Sequence, residues 1–272
     1  MCDEKNKVCP MCKIEGSPCG HEDVLAFYHY CQNCYSVWLS DYSDYNDDKK
    51  TVYNEEYVTK MFSPEGIRGY RKLIERYFYL LHFIASAMGK RNGKPFRFLE
   101  IGFSLPSVVS YFYKYGYDVT ALDIMIPQKM REYLGPLADA GRFQLVETDF
   151  EYWNTSEKFD VLWMTHVLEH FEDTFKALKK INKLLKKTGV AFISSPDPEN
   201  IKEMGVTGLM GHMHPNEHLF MYTLDTFSRL CARSGLKICF SERYKDPIPG
   251  QFEFVTKMEW RAIVVPQERH LA

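Results

Sequence analysis

From Pro95 onward, short apolar runs that read as strands alternate with segments of helical period. The strands are Phe96–Ile101, Asp118–Leu122, Phe143–Val146, Phe159–Met164 and Val190–Ser194. Helical segments fall at Ser107–Tyr115, Pro127–Ala140, Asp173–Lys186 (stopped at Gly189) and Leu224–Ser234 (stopped at Gly235), with late strands at Leu236–Phe240 and Phe252–Val265. Such alternation builds βαβ units, so the expected fold class is α/β, a doubly wound parallel sheet covered on both faces. Upstream, Ser63-Pro64 reads as a helix start. The apolar spacing from Ile67 to Ile84 continues that helix to Gly89.

Three of these strands carry an acidic residue at or near the carboxyl end: Glu100, Asp123 and Asp149. Ligands of doubly wound sheets bind at that end. Gly102 lets the first strand turn tightly into the next helix. Ser104 and Pro106 stand where a full glycine-rich turn would carry Gly. Asp123, about 20 residues on, suits a carboxylate accepting from ribose hydroxyls. Asp149 and Phe150 suit an adenine amino group and ring face. A strand–turn–helix without any nucleotide is the competing reading.

The amino-terminal segment is of another kind. Six of the eight cysteines lie within the first 34 residues, and Cys9, Cys12, Cys31 and Cys34 form two C-x2-C pairs separated by 18 residues. Each pair sets two thiolates on one side of a tight turn, and two turns close a tetrahedron around a soft-ligand metal. A structural Zn2+ is expected, against a redox pair or incidental cysteines; Cys2, Cys19 and His21 are spare ligands. Cys231 and Cys239 sit in apolar context and read as core residues. The polar stretch Asp41–Asp48 reads as a linker, dividing the chain into a zinc-ribbon-like module over 1–62 and a larger domain over 63–272.

Composition limits the partners. A hydrophobic content of 45% supports a sizeable core. The net charge of −2 gives no general attraction to nucleic acid or anionic lipid, and the residues between the cysteine pairs hold one Lys and no Arg. The polar Met1–Lys7 segment lacks a signal-peptide run, and no apolar stretch approaches the ~20 residues of a membrane span. A cytoplasmic protein with reduced thiols and a small-molecule substrate is expected; its oligomeric state is not legible.

The run FRFLEIGFSLPSVVSYFYKYGYDVTALDI resembles the first two motifs of class I S-adenosylmethionine-dependent methyltransferases. Phe159–His170 resembles that family's FDxxxxxxVLEH segment. Leu184–Val190 with Ser195-Pro196 resembles its LKxGG strand entry, with Thr188 in place of the first Gly. The resemblance implies a Rossmann-like seven-stranded sheet and S-adenosylmethionine as cofactor, held by Glu100, Gly102, Ser104, Asp123, Asp149, Phe150 and His166. The cysteine leader, with Val37-Trp38-Leu39 and Val52–Tyr57, is similar to the zinc-binding leader of a subgroup that includes sugar C-methyltransferases. In these the leader packs near the active site, and Tyr57 becomes a substrate-pocket candidate. His214–Tyr222 is similar to the subgroup's YHEHxxxF segment, whose Glu and His are implicated in deprotonation, although Pro215 and Asn216 interrupt the spacing before Glu217.

Methyl transfer is an in-line displacement, so donor and acceptor must be held close and aligned. A hydroxyl acceptor also benefits from a general base, and histidine is the usual one. His218 beside Glu217 is the first candidate, followed by His170, with His166 and His214 nearby in sequence. Each also has a packing or capping reading. The expected function is methyl transfer to a sugar hydroxyl, nucleotide-linked or polymeric. Its rivals are a nucleic-acid or nucleotide methyltransferase and a binding protein with a decayed cofactor site. The Lys-rich helix from Lys176 to Lys187 is the one basic cluster, and it reads as a solvated helix face.

Overall fold

The computed structural model describes residues 7–20, 27–40, 75, 77, 79–84, 95–103, 106–206, 212–214, 217–247 and 256–267. The Asp41–Asp48 linker, the helix start at Ser63-Pro64, Tyr57, Ser104, Cys2 and His21 lie outside the described residues. The Cα trace divides into two compact units, one formed by 1–47, 165–182 and 192–272, the other by 48–164 and 183–191.

The second unit holds the alternating region. Its strands are β4 (Arg97–Ile101), β5 (Asp118–Asp123), β6 (Phe143–Glu147) and most of β7 (Phe159–Thr165). All adjacent pairs among these four run parallel, with β4 between β7 and β5, and β5 between β4 and β6. Leu99, Val161 and Leu162 are wholly buried, the continuous apolar pattern of a strand covered on both faces. Helix α1 (Ser107–Lys114) turns Val108, Val109 and Phe112 inward, and the Phe112 ring stacks on Phe98 at 3.9 Å between centroids. Helix α2 (Gln128–Asp139) buries Met130 and Leu134, and Gly141, at φ 81°, supplies the left-handed turn into β6. Buried Asp160 accepts from the Arg97 amide at 2.9 Å and pairs with Lys186 Nζ at 2.6 Å.

Two expectations shift at the end of the next helix. Helix α3 (Thr174–Leu184) starts where Asp173 Oδ1 accepts from the Lys176 amide at 2.8 Å. It ends two residues before Lys186, and β8 (Leu185–Pro196) begins at once. Gly189 therefore lies inside a strand and is not a helix stop. A Cβ there would sit 2.8 Å from the Phe159 carbonyl oxygen, so its missing side chain permits close backbone approach.

In the first unit, β10 (Leu236–Pro247) and β11 (Thr256–Pro266) form a long antiparallel hairpin, longer than the expected Leu236–Phe240 run. Helix α4 (Leu224–Arg233) is capped by Thr223, whose Oγ1 accepts from the Thr226 amide. Phe227 of α4 stacks on Trp260 of β11 at 4.2 Å, and the Trp260 indole donates to the Tyr222 carbonyl at 2.6 Å. Hydrogen bonding orders the main sheet β10-β11-β8-β7-β4-β5-β6, seven strands as expected.

A second sheet has the order β1-β2-β3-β9 and is antiparallel throughout, from β1 (Ser17–Pro18), β2 (Tyr28–Tyr30), β3 (Val37–Leu39) and β9 (Phe220–Met221). The amino-terminal module thus takes its fourth strand from a segment just before α4. Gly16 is required here, since a Cβ would sit 2.3 Å from the Trp38 ring. Among the described residues, no helix is long and apolar enough to cross a membrane.

Candidate functional site

At the carboxyl ends of β4 and β5, Glu100 and Asp123 face each other's field. Burial, then the charge of Asp123, raises the Glu100 carboxyl well above its ordinary range. Burial raises Asp123 to about 7, against the pull of the amides of Met125 and Ile124. Glu100 Oε2 is buried with no hydrogen-bond partner among the described residues. Gly102 takes φ 72°, a left-handed conformation few L residues adopt, and its amide donates to the Leu122 carbonyl at 2.8 Å. The turn brings chain from β4 against the end of β5. The Thr148 amide donates to the Asp123 carbonyl at 2.8 Å, drawing the end of β6 alongside. Asp149 follows, its Oδ1 accepting from the Glu151 amide at 2.8 Å, with Phe150 buried. Glu100, Gly102 and Asp123 are therefore gathered at one end of β4 and β5. Glu100, with Oε2 lacking a partner among the described residues, and Asp123, held by the amides of its own turn, suit a ligand that brings hydroxyl, ammonium or sulfonium groups.

A second cluster lies in the first unit, on the turn after β7 and the segment before β9. His166 adopts φ 52°, an uncommon conformation for a residue with a side chain. Its Nδ1 stands 3.4 Å from Glu169 Oε1, and its Nε2 lies 2.8 Å from Glu259 Oε2. Burial works against its charge, but the two carboxylates raise its pKa to about 10. Burial likewise opposes ionisation of Glu169, yet His166 holds it down to about 2. The Glu169 carbonyl accepts from the Leu219 amide at 2.8 Å, which seats His218 beside the turn. The rings of His170 and His218 meet edge to face at 4.9 Å, and that of His214, whose residue is exposed, lies 5.1 Å from His218. Burial and the neighbouring His170 depress His218 to about 3, so its imidazole is neutral. Glu217 enters through its backbone: its carbonyl lies 2.5 Å from His170 Nδ1.

Glu169 and Glu259 were missed as site residues. Glu169 sits inside the VLEH run, between two residues that drew attention for other reasons. Glu259 alternates with Arg261 around Trp260 in an apolar strand, and both charged residues are buried. A charged pair at alternating positions of a buried strand is the signal that could have found it.

The four cysteines Cys9, Cys12, Cys31 and Cys34 converge, their sulfurs within 4.8 Å of one another. The two knuckles repeat one geometry. The Lys13 amide donates to the Cys9 carbonyl at 3.0 Å, and the Tyr35 amide to the Cys31 carbonyl at 2.8 Å. Lys13 and Tyr35 share the left-handed conformation at φ 59° and 57°. The Cys9–Cys34 sulfur separation of 3.7 Å matches the edge of about 3.8 Å in a tetrahedron of Zn–S bonds near 2.3 Å. All four are free thiols, so the donor set fits a soft divalent ion. Cys19 is buried, its thiol raised to about 12 by burial. The module is tied to the histidine segment: the Tyr28 hydroxyl donates to the His218 carbonyl at 3.0 Å, and Thr223 Oγ1 donates to the Cys34 carbonyl at 3.2 Å.

Comparison with known proteins agrees with this architecture. PH0226 from Pyrococcus horikoshii OT3 is similar at a TM-score of 0.54 and 16% identity, over 78% of this chain and 99% of that one. The N-methyltransferase NodS from Bradyrhizobium japonicum WM9, solved with S-adenosylhomocysteine, gives 0.51 and 18%, over 77% and 91%. YcgJ from Bacillus subtilis gives 0.52 and 12%, over 71% and 100%. At these identities the likeness speaks for the fold. No curated protein sequence matches the chain. Residues 68–239 match the family described as a methyltransferase domain. That match spans more than half of the chain, which belongs to this family and is an S-adenosylmethionine-dependent methyltransferase.

Proposed function

We propose that the acceptor is a sugar hydroxyl on a nucleotide-linked or polymeric carbohydrate, and that the donor is held by Glu100, Gly102, Asp123, Asp149 and Phe150. The observation that carries the donor assignment is the facing pair Glu100 and Asp123, with Glu100 Oε2 buried and without a hydrogen-bond partner among the described residues. S-adenosylmethionine, when bound, supplies a methyl group activated on a sulfonium. Ionised Asp123 accepts hydrogen bonds from its ribose hydroxyls, and Gly102 lets the backbone pass close to it. Ser104 and His166 were expected in the same role. His166 is engaged between Glu169 and Glu259, which gives it a share in fixing that turn.

For the acceptor, His218, His170 and Glu217 remain the proposed set. A neutral imidazole at His218 presents one lone pair, on Nε2, toward the place of the acceptor. His170 is held by the Glu217 carbonyl. The buried Glu169 carboxylate and His218 imidazole, brought together from two segments, favour an acceptor rich in hydroxyls over an apolar one. The cysteine module, proposed to bind Zn2+ structurally in a reducing cytoplasm, keeps this segment in register through Tyr28 and Thr223.

Calorimetric titration with S-adenosylhomocysteine tests the donor assignment. Micromolar binding that Asp123→Ala weakens by at least about tenfold is expected. Equal binding by the variant would remove Asp123 from the site. Methyl transfer from labelled donor to a panel of sugar nucleotides tests the acceptor. Transfer confined to RNA or DNA in the parallel arm would replace the sugar reading.

A further inference from the structure

Glu169, His170 and His218 each bring one ligand atom within 4.8 Å of the other two. Glu169 is wholly buried. Its Oε2 accepts from Ser195 Oγ at 3.0 Å, while its Oε1 has no hydrogen-bond partner among the described residues. Oε1 instead looks toward His218 Nε2 at 4.0 Å and His166 Nδ1 at 3.4 Å. His166 Nδ1 meets Oε1 from one side only, and a carboxylate oxygen has a second lone pair to offer toward His218.

The histidines are set in the manner of ligands. His218 Nδ1 lies 2.7 Å from the His212 carbonyl, an acceptor, so Nδ1 carries the proton and Nε2 presents its lone pair toward Glu169. Metal-bound imidazoles are held in this way, with the far N–H donated to a backbone carbonyl. His170 has a carbonyl at each ring nitrogen, that of Glu217 at 2.5 Å and that of His166 at 3.1 Å. Ligation by His170 would take the ring away from one of these carbonyls, the longer contact to the His166 carbonyl being the one more readily given up.

We propose that Glu169, His170 and His218 bind a divalent first-row transition-metal ion, apart from the four-cysteine site. Two imidazole nitrogens and one carboxylate oxygen form a borderline donor set, better suited to manganese, iron, cobalt or zinc than to magnesium or calcium. Bonds near 2.1 Å would draw the three atoms to about 3.4 Å apart, a modest contraction from the present spacing. Three protein ligands leave at least one position open for water or substrate. In the open position the ion would take an acceptor hydroxyl oxygen and lower its pKa, so that the proton passes to solvent water while the oxygen takes the methyl from the sulfonium and S-adenosylhomocysteine leaves. That role rests on the sugar-hydroxyl reading above, whereas binding of the ion does not.

The experiment uses the full chain with its four-cysteine site filled with zinc. Manganese(II) binding is followed by electron paramagnetic resonance, and total metal by elemental analysis. One equivalent beyond the cysteine-bound ion is expected, as manganese or as a second zinc. Glu169→Gln and His170→Ala should each weaken it at least about tenfold, with circular dichroism and cysteine-bound zinc unchanged. No additional ion on folded wild-type protein, or equal binding by both variants, would overturn the site. Water-proton relaxation then reads the open position: methyl β-D-ribofuranoside, a cis-diol, should displace exchangeable water from bound manganese. Unchanged relaxation would overturn the acceptor role while the metal site stands.

Discussion

Replacing Asp123 by Asn should make the ligand-free protein more stable at neutral pH while removing donor binding. The group is a carboxylate whose folded pKa, about 7, lies above its ordinary value of 3.8. Below pH 4 it is protonated in both states and its burial costs nothing extra. As pH rises from about 4 to 7, the unfolded chain ionises first, and the folded state loses stability relative to it. About three pH units at ~1.4 kcal/mol each set a ceiling near ~4 kcal/mol, fully expressed above pH 7. Water reaching the partly buried carboxyl reduces the realised figure to about half, so a gain of ~2 kcal/mol is expected for the variant at pH 8. Asn keeps an oxygen for the Met125 amide, so the local turn is preserved. Urea unfolding of both proteins between pH 4 and 8 measures the difference. The gap should open with pH and level off near 7. A gap independent of pH would refute the reasoning, because an uncharged packing change has no such slope. Wild-type affinity for S-adenosylhomocysteine should fall up to about tenfold for each unit below pH 7, since the ribose contact needs the carboxylate.

Other perturbations follow from single contacts. Gly16→Ala places a Cβ 2.3 Å from the Trp38 ring, so ~1–3 kcal/mol should be lost and the melting temperature should fall. Cys31→Ser should lower bound zinc by about one equivalent by elemental analysis, with loss of the near-ultraviolet dichroism of the amino-terminal module. Tyr28→Phe removes the hydrogen bond to the His218 carbonyl and should cost ~1 kcal/mol in chemical denaturation, with zinc content unchanged.

The main sheet was legible because its code is local. Apolar runs of strand length, separated by helical period, leave few topologies open. The acidic strand ends were legible for the same reason: Glu100 and Asp123 follow directly from where β4 and β5 stop. What escaped is non-local. Phe220–Met221 is only two residues long and has no period to read, yet it pairs with Val37-Trp38. Gly189 reads from sequence as a helix stop because Gly usually is one there; only the nearby Phe159 carbonyl explains it. His166 reads as a pocket residue from its place after β7. Its carboxylate partner Glu259 is 93 positions away, where no local pattern points to it.

The shared sheet also dictates an order of events during synthesis. Cys34 leaves the ribosome early, but β3 must wait for Phe220 and Met221 before its outer edge is paired. The Cys34 carbonyl and the Tyr28 hydroxyl likewise wait for partners 189 and 190 positions downstream. The nascent knuckles can gather a metal ion long before then, since all four thiols lie within the first 34 residues. With zinc bound at the four cysteines as proposed, metal capture would precede docking, and in the interval the half-built sheet would present an open strand edge. Starving cells of zinc during translation should send newly made chains to aggregates more readily than stripping the ion from finished protein.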